Sequence, residues 1–197
     1  MKQVTVTGAF GFISSHTIDE LHRRGYKVLG LARHVGRVDV TSEHLPDSVY
    51  LGDLRDKEVV EKAVSASDGV INLAGILGTQ ETVNNPYPSV EVNIMGALNV
   101  LEAARVWKIP MVQIAVGNYW EKNSYSLTKT CTEGFTQMYA RHNDTKAMVV
   151  RALNAFGPRQ KPYPVRKIIP SFITRALRGE NIQIYGDGLR RAYSQTA

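Results

Sequence analysis

The sequence predicts an α/β fold built on a doubly wound parallel sheet. Two observations predict it: strand-like segments alternate with amphipathic helical patterns along most of the chain, and glycine or polar residues follow several of the predicted strands. Strands that alternate with helices form a parallel sheet covered on both faces. Because ligands of such sheets bind at the carboxyl ends of the strands, we expect a site at that edge.

The expected elements follow one another with short connections. Strand-like runs occupy residues 4–7, 26–31, 48–51, 69–74, 111–116, 147–153 and 182–185, and helical patterns occupy about 12–24, 56–66, 89–107, 125–141 and 171–177. The helix over 89–107 repeats apolar residues at the helical period, which predicts a buried stripe. Four prolines between Pro158 and Pro170 predict neither continuous helix nor central strand there, and 186–188 predicts a turn.

Composition excludes several classes of protein. The 197 residues are 43% hydrophobic, which suits a sizeable core, and no apolar run reaches the roughly 18 residues of a membrane span. The single cysteine, Cys131, excludes an internal disulfide and a cysteine zinc site, so we expect a cytoplasmic protein without a metal. The charge of +6 is dispersed and no nucleic-acid motif accompanies it, which favours small anionic ligands over nucleic acid.

Two spaced glycines lie between the first strand and the first helix. Gly8 can adopt the positive φ of a tight turn, and at Gly11 the missing side chain would let a pyrophosphate reach the backbone. The free N–H groups and dipole of the following helix favour that anion. The strand before and the helix after distinguish a dinucleotide-binding turn from an ordinary glycine turn. The expected contacts are Gly8, Phe10, Gly11, Phe12 and Ile13.

With this turn the chain resembles the extended short-chain dehydrogenase/reductases, which include nucleotide-sugar epimerases, dehydratases and reductases. Residues 8–14 are similar to the GxxGxxG motif, 52–56 to GDLRD, 93–101 to a helix containing NxxG, 125–129 to YxxxK, 151–159 to RxxNxxGPR, and 184–188 to a late turn. The resemblance implies a Rossmann-type dinucleotide-binding domain over residues 1–157. It implies a small, truncated substrate-binding lobe over residues 158–197.

The resemblance implies further contacts with the cofactor. Asp53 would contact the adenine, and small residues after the fourth strand would line the bound molecule. The additional positions are Asp53, Leu54, Leu73, Ala74, Gly75 and Asn93. Ser14 replaces the third glycine of the motif, which lets the helix pack closely on the sheet, so we expect Ser14 to weaken cofactor binding without abolishing it.

The end of the second strand bears on the choice between NAD and NADP. In NAD-binding proteins an acidic residue there usually hydrogen-bonds to the ribose 2′-hydroxyl. No Asp or Glu is present at this position. Arg33 could instead pair with a 2′-phosphate, with help from Arg37. The alternative is that Arg33 is a solvated surface side chain. We expect NAD or NADP and favour NADP on this pairing.

Tyr125 and Lys129 lie four residues apart, on one face of a predicted helix. A phenol titrates near pH 10, and a nearby ammonium lowers that pKa. The spacing alone could be coincidental. Following a dinucleotide turn, it predicts that Tyr125 is the general acid/base, and the resemblance implies that Lys129 also binds the nicotinamide ribose.

The loop after the fifth strand departs from the family. No Ser or Thr stands between Met111 and Asn123, where the family places a hydroxyl that binds the substrate oxygen. Asn118 is the preferred substitute as a third catalytic residue, with Ser124 or Thr128 as alternatives. Glu121 lacks the acidic neighbour that dehydratases of the family use, so we interpret it as a solvated charge. This leaves epimerisation or carbonyl reduction.

The substrate end of the resemblance is carried by Asn154 and Arg159, which match positions used toward a nucleotide-sugar diphosphate. Arg166 and Lys167 could also pair with phosphates, or could be solvated. We therefore expect a nucleotide-sugar substrate and a homodimer packed through two helices, as in the family. Two other functions stay open: a cofactor-binding sensor or scaffold without efficient catalysis, and a reductase of a non-sugar ketone.

Overall fold

The computed structural model describes residues 2–35, 44–78, 82–162 and 167–184. Within these ranges six parallel strands form one sheet, in the order β3-β2-β1-β4-β5-β6. The strands are β1 Gln3–Thr7, β2 Lys27–Ala32, β3 Ser48–Leu51, β4 Gly69–Asn72, β5 Met111–Val116 and β6 Ala147–Ala152. This is the order of a doubly wound dinucleotide-binding sheet, so the predicted fold class is confirmed.

Helices connect the strands and cover both faces of the sheet. They are α1 Phe12–Arg23, α2 Lys57–Ser65, α3 Tyr87–Ser89, a π-helix Val90–Gly96, α4 Ala97–Val106, α5 Ser124–His142 and α6 Ile168–Leu177. Side chains cap two of them: Asp56 accepts hydrogen bonds from two backbone amides at the start of α2, and Asn123 accepts one from the Ser126 amide at the start of α5. Helix α1 begins without a side-chain cap.

The core lies in two layers because side chains alternate across each strand. On one face Val4, Val6 and Val28 pack with Ile18 and Leu21 of α1. On the other face residues of β2, β4 and β5 pack against α2 and α4; this cluster includes Leu29, Leu31, Val60, Val64, Val70, Val100, Leu101 and Met111. Because all six strands run parallel, their carboxyl ends lie at the same edge of the sheet.

The helix expected over 89–107 is broken into three consecutive parts by the π-helix. At its centre Asn93 is 1% exposed, and its side chain bonds both backbone groups of Ile76 (2.7 Å to the amide, 3.1 Å to the carbonyl). Its amide also donates to Thr128 Oγ1 at 3.0 Å. The π-helix therefore ties the loop after β4 to α5. Such wide turns often accompany functional sites.

Two expectations for the last forty residues need correction. Residues 182–184 do not form a strand, and Tyr185 of that prediction lies outside the described residues, as do the 186–188 turn, Arg37 and Arg166. Helix α6 begins at Ile168 and includes Pro170 in its first turn, where a proline loses no helical hydrogen bond. The division of the chain at residue 157 stays a prediction.

Candidate active site

A cavity of about 620 Å³ opens at the carboxyl ends of the strands. It is lined by the loops after all six strands and by the first turns of α1 and α5. The predicted cofactor contacts among its walls are Gly8, Phe10, Gly11, Phe12, Ile13, Arg33, Asp53, Leu54, Leu73, Ala74, Gly75, Tyr125 and Lys129. Asn118 and Asn154 also line it, whereas Asn93 lies behind the wall and Arg159 lies elsewhere.

The glycine turn has the geometry expected from the sequence. Gly8 has a φ of 64°, and a Cβ at this position would lie 3.0 Å from the Ala74 Cα, so glycine is required. The first helical hydrogen bond of α1 runs from the Ser15 amide to the Gly11 carbonyl at 3.0 Å. The amides of residues 12–14 therefore have no helical acceptor, and no acidic side chain faces them from the first turn. This end of α1 fits a diphosphate.

Lys129 lies deep in the wall of the cavity. It is 2% exposed, and its Nζ donates a hydrogen bond to the Ala74 carbonyl at 3.3 Å. Burial lowers the pKa of Lys129 to about 8. A Cβ on Gly75 would lie 3.3 Å from this Nζ and 3.0 Å from Asn93 Oδ1, so the bare backbone of Gly75 makes room for the lysine.

Tyr125 is half-buried in the first turn of α5. Its hydroxyl has no hydrogen-bond partner within the described ranges, and the ring lines the cavity. The expectation that Lys129 lowers the phenol pKa needs correction: burial raises the pKa of Tyr125, and no opposing effect of Lys129 accompanies it. The phenol is therefore protonated at neutral pH in this arrangement.

The loop after β5 places Asn118 in the wall of the cavity, as expected, but its side-chain amide donates to Glu121. Asn118 Nδ2 donates to Glu121 Oε1 at 3.4 Å, and Asn123 Nδ2 donates to Glu121 Oε2 at 2.7 Å. Glu121 is half-buried and lines the cavity, so its interpretation as a solvated charge is wrong. Ser124 and Thr128 bond to backbone carbonyls and do not line the cavity, which leaves neither available as a donor.

Sequence reasoning missed Ser126. This residue is 1% exposed and lines the cavity, and its hydroxyl has no hydrogen-bond partner in the described part of the chain. The signal was present, since Ser126 lies three residues before Lys129 and so shares its helix face. It is a second polar group, beside Asn118, that can meet a substrate oxygen.

The outer end of the cavity is polar and basic. Asn154 lines it together with Gln160, Lys161 and Lys167. Arg159 does not: its Nη2 donates to Asp19 Oδ2 at 2.7 Å and also meets the His16 ring. Arg159 Nη2 thus binds α1, while its Nε and Nη1 are buried without a hydrogen-bond partner among the described residues. Lys161 and Lys167 are the lysines that line this rim.

The wall beyond β2 and β3 carries opposite charges. Asp53 accepts hydrogen bonds from the Arg55 side chain at 2.9 and 3.0 Å, and these bonds hold the Asp53 pKa below its usual value. Arg33 is exposed and lines the cavity, and its charge adds to the lowering of the Asp53 pKa. Arg33 and Asp53 are therefore neighbours at one end of the cavity.

Comparison with known proteins identifies relatives of the whole chain. It is 29% identical to the UDP-N-acetyl-alpha-D-glucosaminuronate decarboxylase of Bacillus cytotoxicus, over 95% of this chain and 65% of that protein. It is 31% identical to the low-salt glycan biosynthesis protein Agl12 of Haloferax volcanii, over 94% of this chain and 66% of that protein. The chain thus spans just under two thirds of the length of these curated relatives.

Solved structures of nucleotide-sugar epimerases are also similar to this chain. The UDP-glucose 4-epimerase of Thermotoga maritima, solved with UDP-glucose, superimposes with a TM-score of 0.84 at 28% identity, over 94% of this chain and 66% of that one. The UDP-glucose 4-epimerase of Thermus thermophilus, in complex with NAD, gives 0.79 at 30% identity, over 90% and 63%. No helix among the described residues is long and apolar enough to cross a membrane. The sequence model of the NAD dependent epimerase/dehydratase family matches residues 4–116 and 113–192, and the chain belongs to that family.

Proposed function

We propose that this chain binds NAD(H) or NADP(H) and transforms a nucleotide-sugar, as an epimerase-like or reductase-like enzyme. One observation carries the proposal: the same cavity joins the uncapped start of α1 to Tyr125 and Lys129. The family relatives solved with NAD and with UDP-glucose support both ligand classes.

The residues present fit a dinucleotide. The amides of residues 12–14 would hold its diphosphate, Arg33 and Asp53 its adenosine end, and Lys129 its nicotinamide ribose. Gly8 and Gly75 keep the backbone close to that path, because a Cβ at either position would collide with Ala74 or with Asn93. When bound, the nicotinamide supplies the hydride acceptor or donor.

Tyr125 would exchange a proton with the sugar oxygen. Since burial raises its pKa, the phenol is protonated at pH 7 and ready to donate to a carbonyl oxygen. Lys129, with a pKa of about 8, is mostly charged at pH 7 and would bind the nicotinamide ribose from the same helix face. Asn118 and Ser126 would orient the sugar oxygen.

The rest of the sugar nucleotide would extend toward Asn154 and Lys167. An ammonium and an amide at this rim suit the phosphates of such a substrate. Glu121 has two asparagine neighbours and no acidic partner in its loop, so it lacks the carboxylate pair of the family's dehydratases. Epimerisation and carbonyl reduction therefore remain the favoured reactions.

A homodimer is part of this proposal. Apolar side chains remain exposed at the end of α4 and along α5; they include Val106, Trp107, Leu127 and Met138. The two helices pack against each other, and exposed apolar side chains of this kind typically mark an association site. Light scattering of the purified protein should give twice the mass of the chain, and a monomer at micromolar concentration would contradict it.

The substitution Tyr125→Phe tests the catalytic assignment. It should leave the dissociation constant of NAD(H) within about twofold and reduce turnover of UDP-, GDP- or TDP-sugars by about 10²–10⁴, the usual contribution of a general acid/base. Tightly retained NAD⁺ in the purified protein would indicate an epimerase, which regenerates its cofactor in place. An empty site that NADPH fills would indicate a reductase.

A cofactor-binding sensor or scaffold is the second candidate. The observation that favours it is the end of β5, where Ala115, Val116 and Gly117 offer no hydroxyl to a substrate. It predicts that the parent protein binds NAD(H) and turns over none of the sugar nucleotides. Oxidation of NADPH by small ketones without any nucleotide would instead support a reductase of non-sugar carbonyls.

A further inference from the structure

The hydroxyl of Ser14 differs from the neighbouring hydroxyls of α1. Ser15 donates to the Phe12 carbonyl at 2.8 Å, and Thr17 donates to the Ile13 carbonyl at 3.0 Å. Ser14 is as buried as Ser15, each with 2% exposed, yet its Oγ has no hydrogen-bond partner in the described ranges. Ser14 also lines the cavity, so the partner that this hydroxyl lacks can come from a ligand there.

The position of Ser14 on the helix aims its side chain at the glycine turn. Ser14 is the third residue after the N-cap Gly11, and side chains at that position reach back toward the N-cap. In agreement, a Cβ built on Gly11 would lie 3.4 Å from Ser14 Oγ. The hydroxyl therefore borders the bare face of Gly11, beside the amides of residues 12–14 that have no helical acceptor.

We infer that the Ser14 hydroxyl donates a hydrogen bond to the diphosphate of the bound dinucleotide and strengthens its binding. The inference rests on the proposed function, since it assumes a dinucleotide in this cavity. It reverses the expectation from the sequence, in which Ser14 weakens binding by holding α1 away from the sheet. The side chain is instead accommodated in the wall, and it adds a donor that the glycine of the family motif cannot supply.

Calorimetry with NADH and with ADP-ribose, which share the diphosphate, tests this role. Ser14→Ala removes only the hydroxyl, and Ser14→Gly restores the family's own residue, so the test survives if one variant fails to fold. Both variants should raise the dissociation constants about tenfold, the usual effect of losing a hydrogen bond to a charged group. Ser15→Ala is the matched control: it removes an equally buried hydroxyl that bonds within α1, and should change affinity by less than twofold.

The outcomes separate this inference from the proposed function. Parent-like or tighter binding by both Ser14 variants overturns the role of the hydroxyl and leaves dinucleotide binding intact. Weakening of the Ser15→Ala variant to the same degree also overturns it, because helix stability would then explain the loss. A folded parent that binds neither NADH nor NADPH overturns both.

Discussion

The Nζ of Lys129 lies 3.3 Å from the carbonyl oxygen of Ala74, which joins helix α5 to the loop after β4. Among the described residues this is the only hydrogen bond that Nζ makes, although Lys129 is 2% exposed and its ammonium has three donors. Burial therefore lowers the Lys129 pKa to about 8. Burial thus disfavours the charged form of this lysine, a perturbation typical of functional sites.

Lys129→Met should stabilise the protein at pH 7 while abolishing turnover. A pKa lowered from 10.5 to about 8 corresponds to roughly 3 kcal/mol, which the folded state loses whenever the lysine is charged. Between pH 8 and 10 the unfolded lysine keeps a proton that the folded one has lost, so the stability of the parent should rise with pH. Urea unfolding across pH 6–10 measures both effects. A methionine variant less stable than the parent at pH 7 would contradict this account.

Gly75→Ala should damage the site through two contacts. The new Cβ would lie 3.0 Å from Asn93 Oδ1 and 3.3 Å from Lys129 Nζ, so one or both groups must move. We expect a loss of about 1–2 kcal/mol in stability and at least tenfold in NADH affinity. Gly134→Ala on α5 is the control: nothing lies within 4 Å of its Cβ, so it should stabilise the helix by up to about 1 kcal/mol and leave affinity unchanged. Equal effects at the two glycines would refute the steric argument.

The sequence predicted the sheet because the signals of a parallel strand are local. All six observed strands differ from their predicted spans by at most two residues at either end, and Gly8 has the positive φ predicted for its turn. The π-helix could not be predicted, since the apolar residues of 89–107 recur at the spacing of an ordinary α-helix and nothing in that spacing indicates a wider turn. It is stabilised by tertiary contacts of Asn93 instead.

The cavity-lining residues were predictable where a sequence motif follows the end of a strand. The hydrogen-bond partners of Arg159 and Glu121 were not. Arg159 matched a substrate position, but its partner Asp19 lies 140 residues earlier in the chain. The sequence favours a solvated Glu121, because its bonds with Asn118 and Asn123, three and two residues away, form only in the folded loop. Such long-range or loop pairings depend on how the elements pack, which a single sequence does not encode locally.

Thr7→Val should destabilise the protein by about 3 kcal/mol, although it preserves shape. Thr7 Oγ1 donates to Asn72 Oδ1 at 2.6 Å and accepts from the amides of Leu73 and Ala74, so the valine would leave one buried and two partly buried polar groups unpaired. Thr17→Val, which removes a hydroxyl near the surface of α1, should cost less than about 1 kcal/mol. Chemical denaturation of both variants measures the difference, and equal losses would exclude a special role for the Thr7 network.

Arg33→Ser tests whether this chain prefers NADP(H) to NAD(H). Arg33 is exposed at the wall of the cavity near Asp53, where β2 ends without an acidic residue. If its guanidinium meets the 2′-phosphate, the serine variant should bind NADPH about tenfold more weakly and NADH within twofold of the parent. Arg55→Ser is the matched control, because Arg55 pairs with Asp53 and Glu91 without lining the cavity, and should not discriminate between the cofactors. Unchanged NADPH affinity in the Arg33 variant would show that Arg33 does not contact the 2′-phosphate and is a solvated surface side chain. NAD, as found in the Thermus thermophilus relative, would then be the favoured cofactor here.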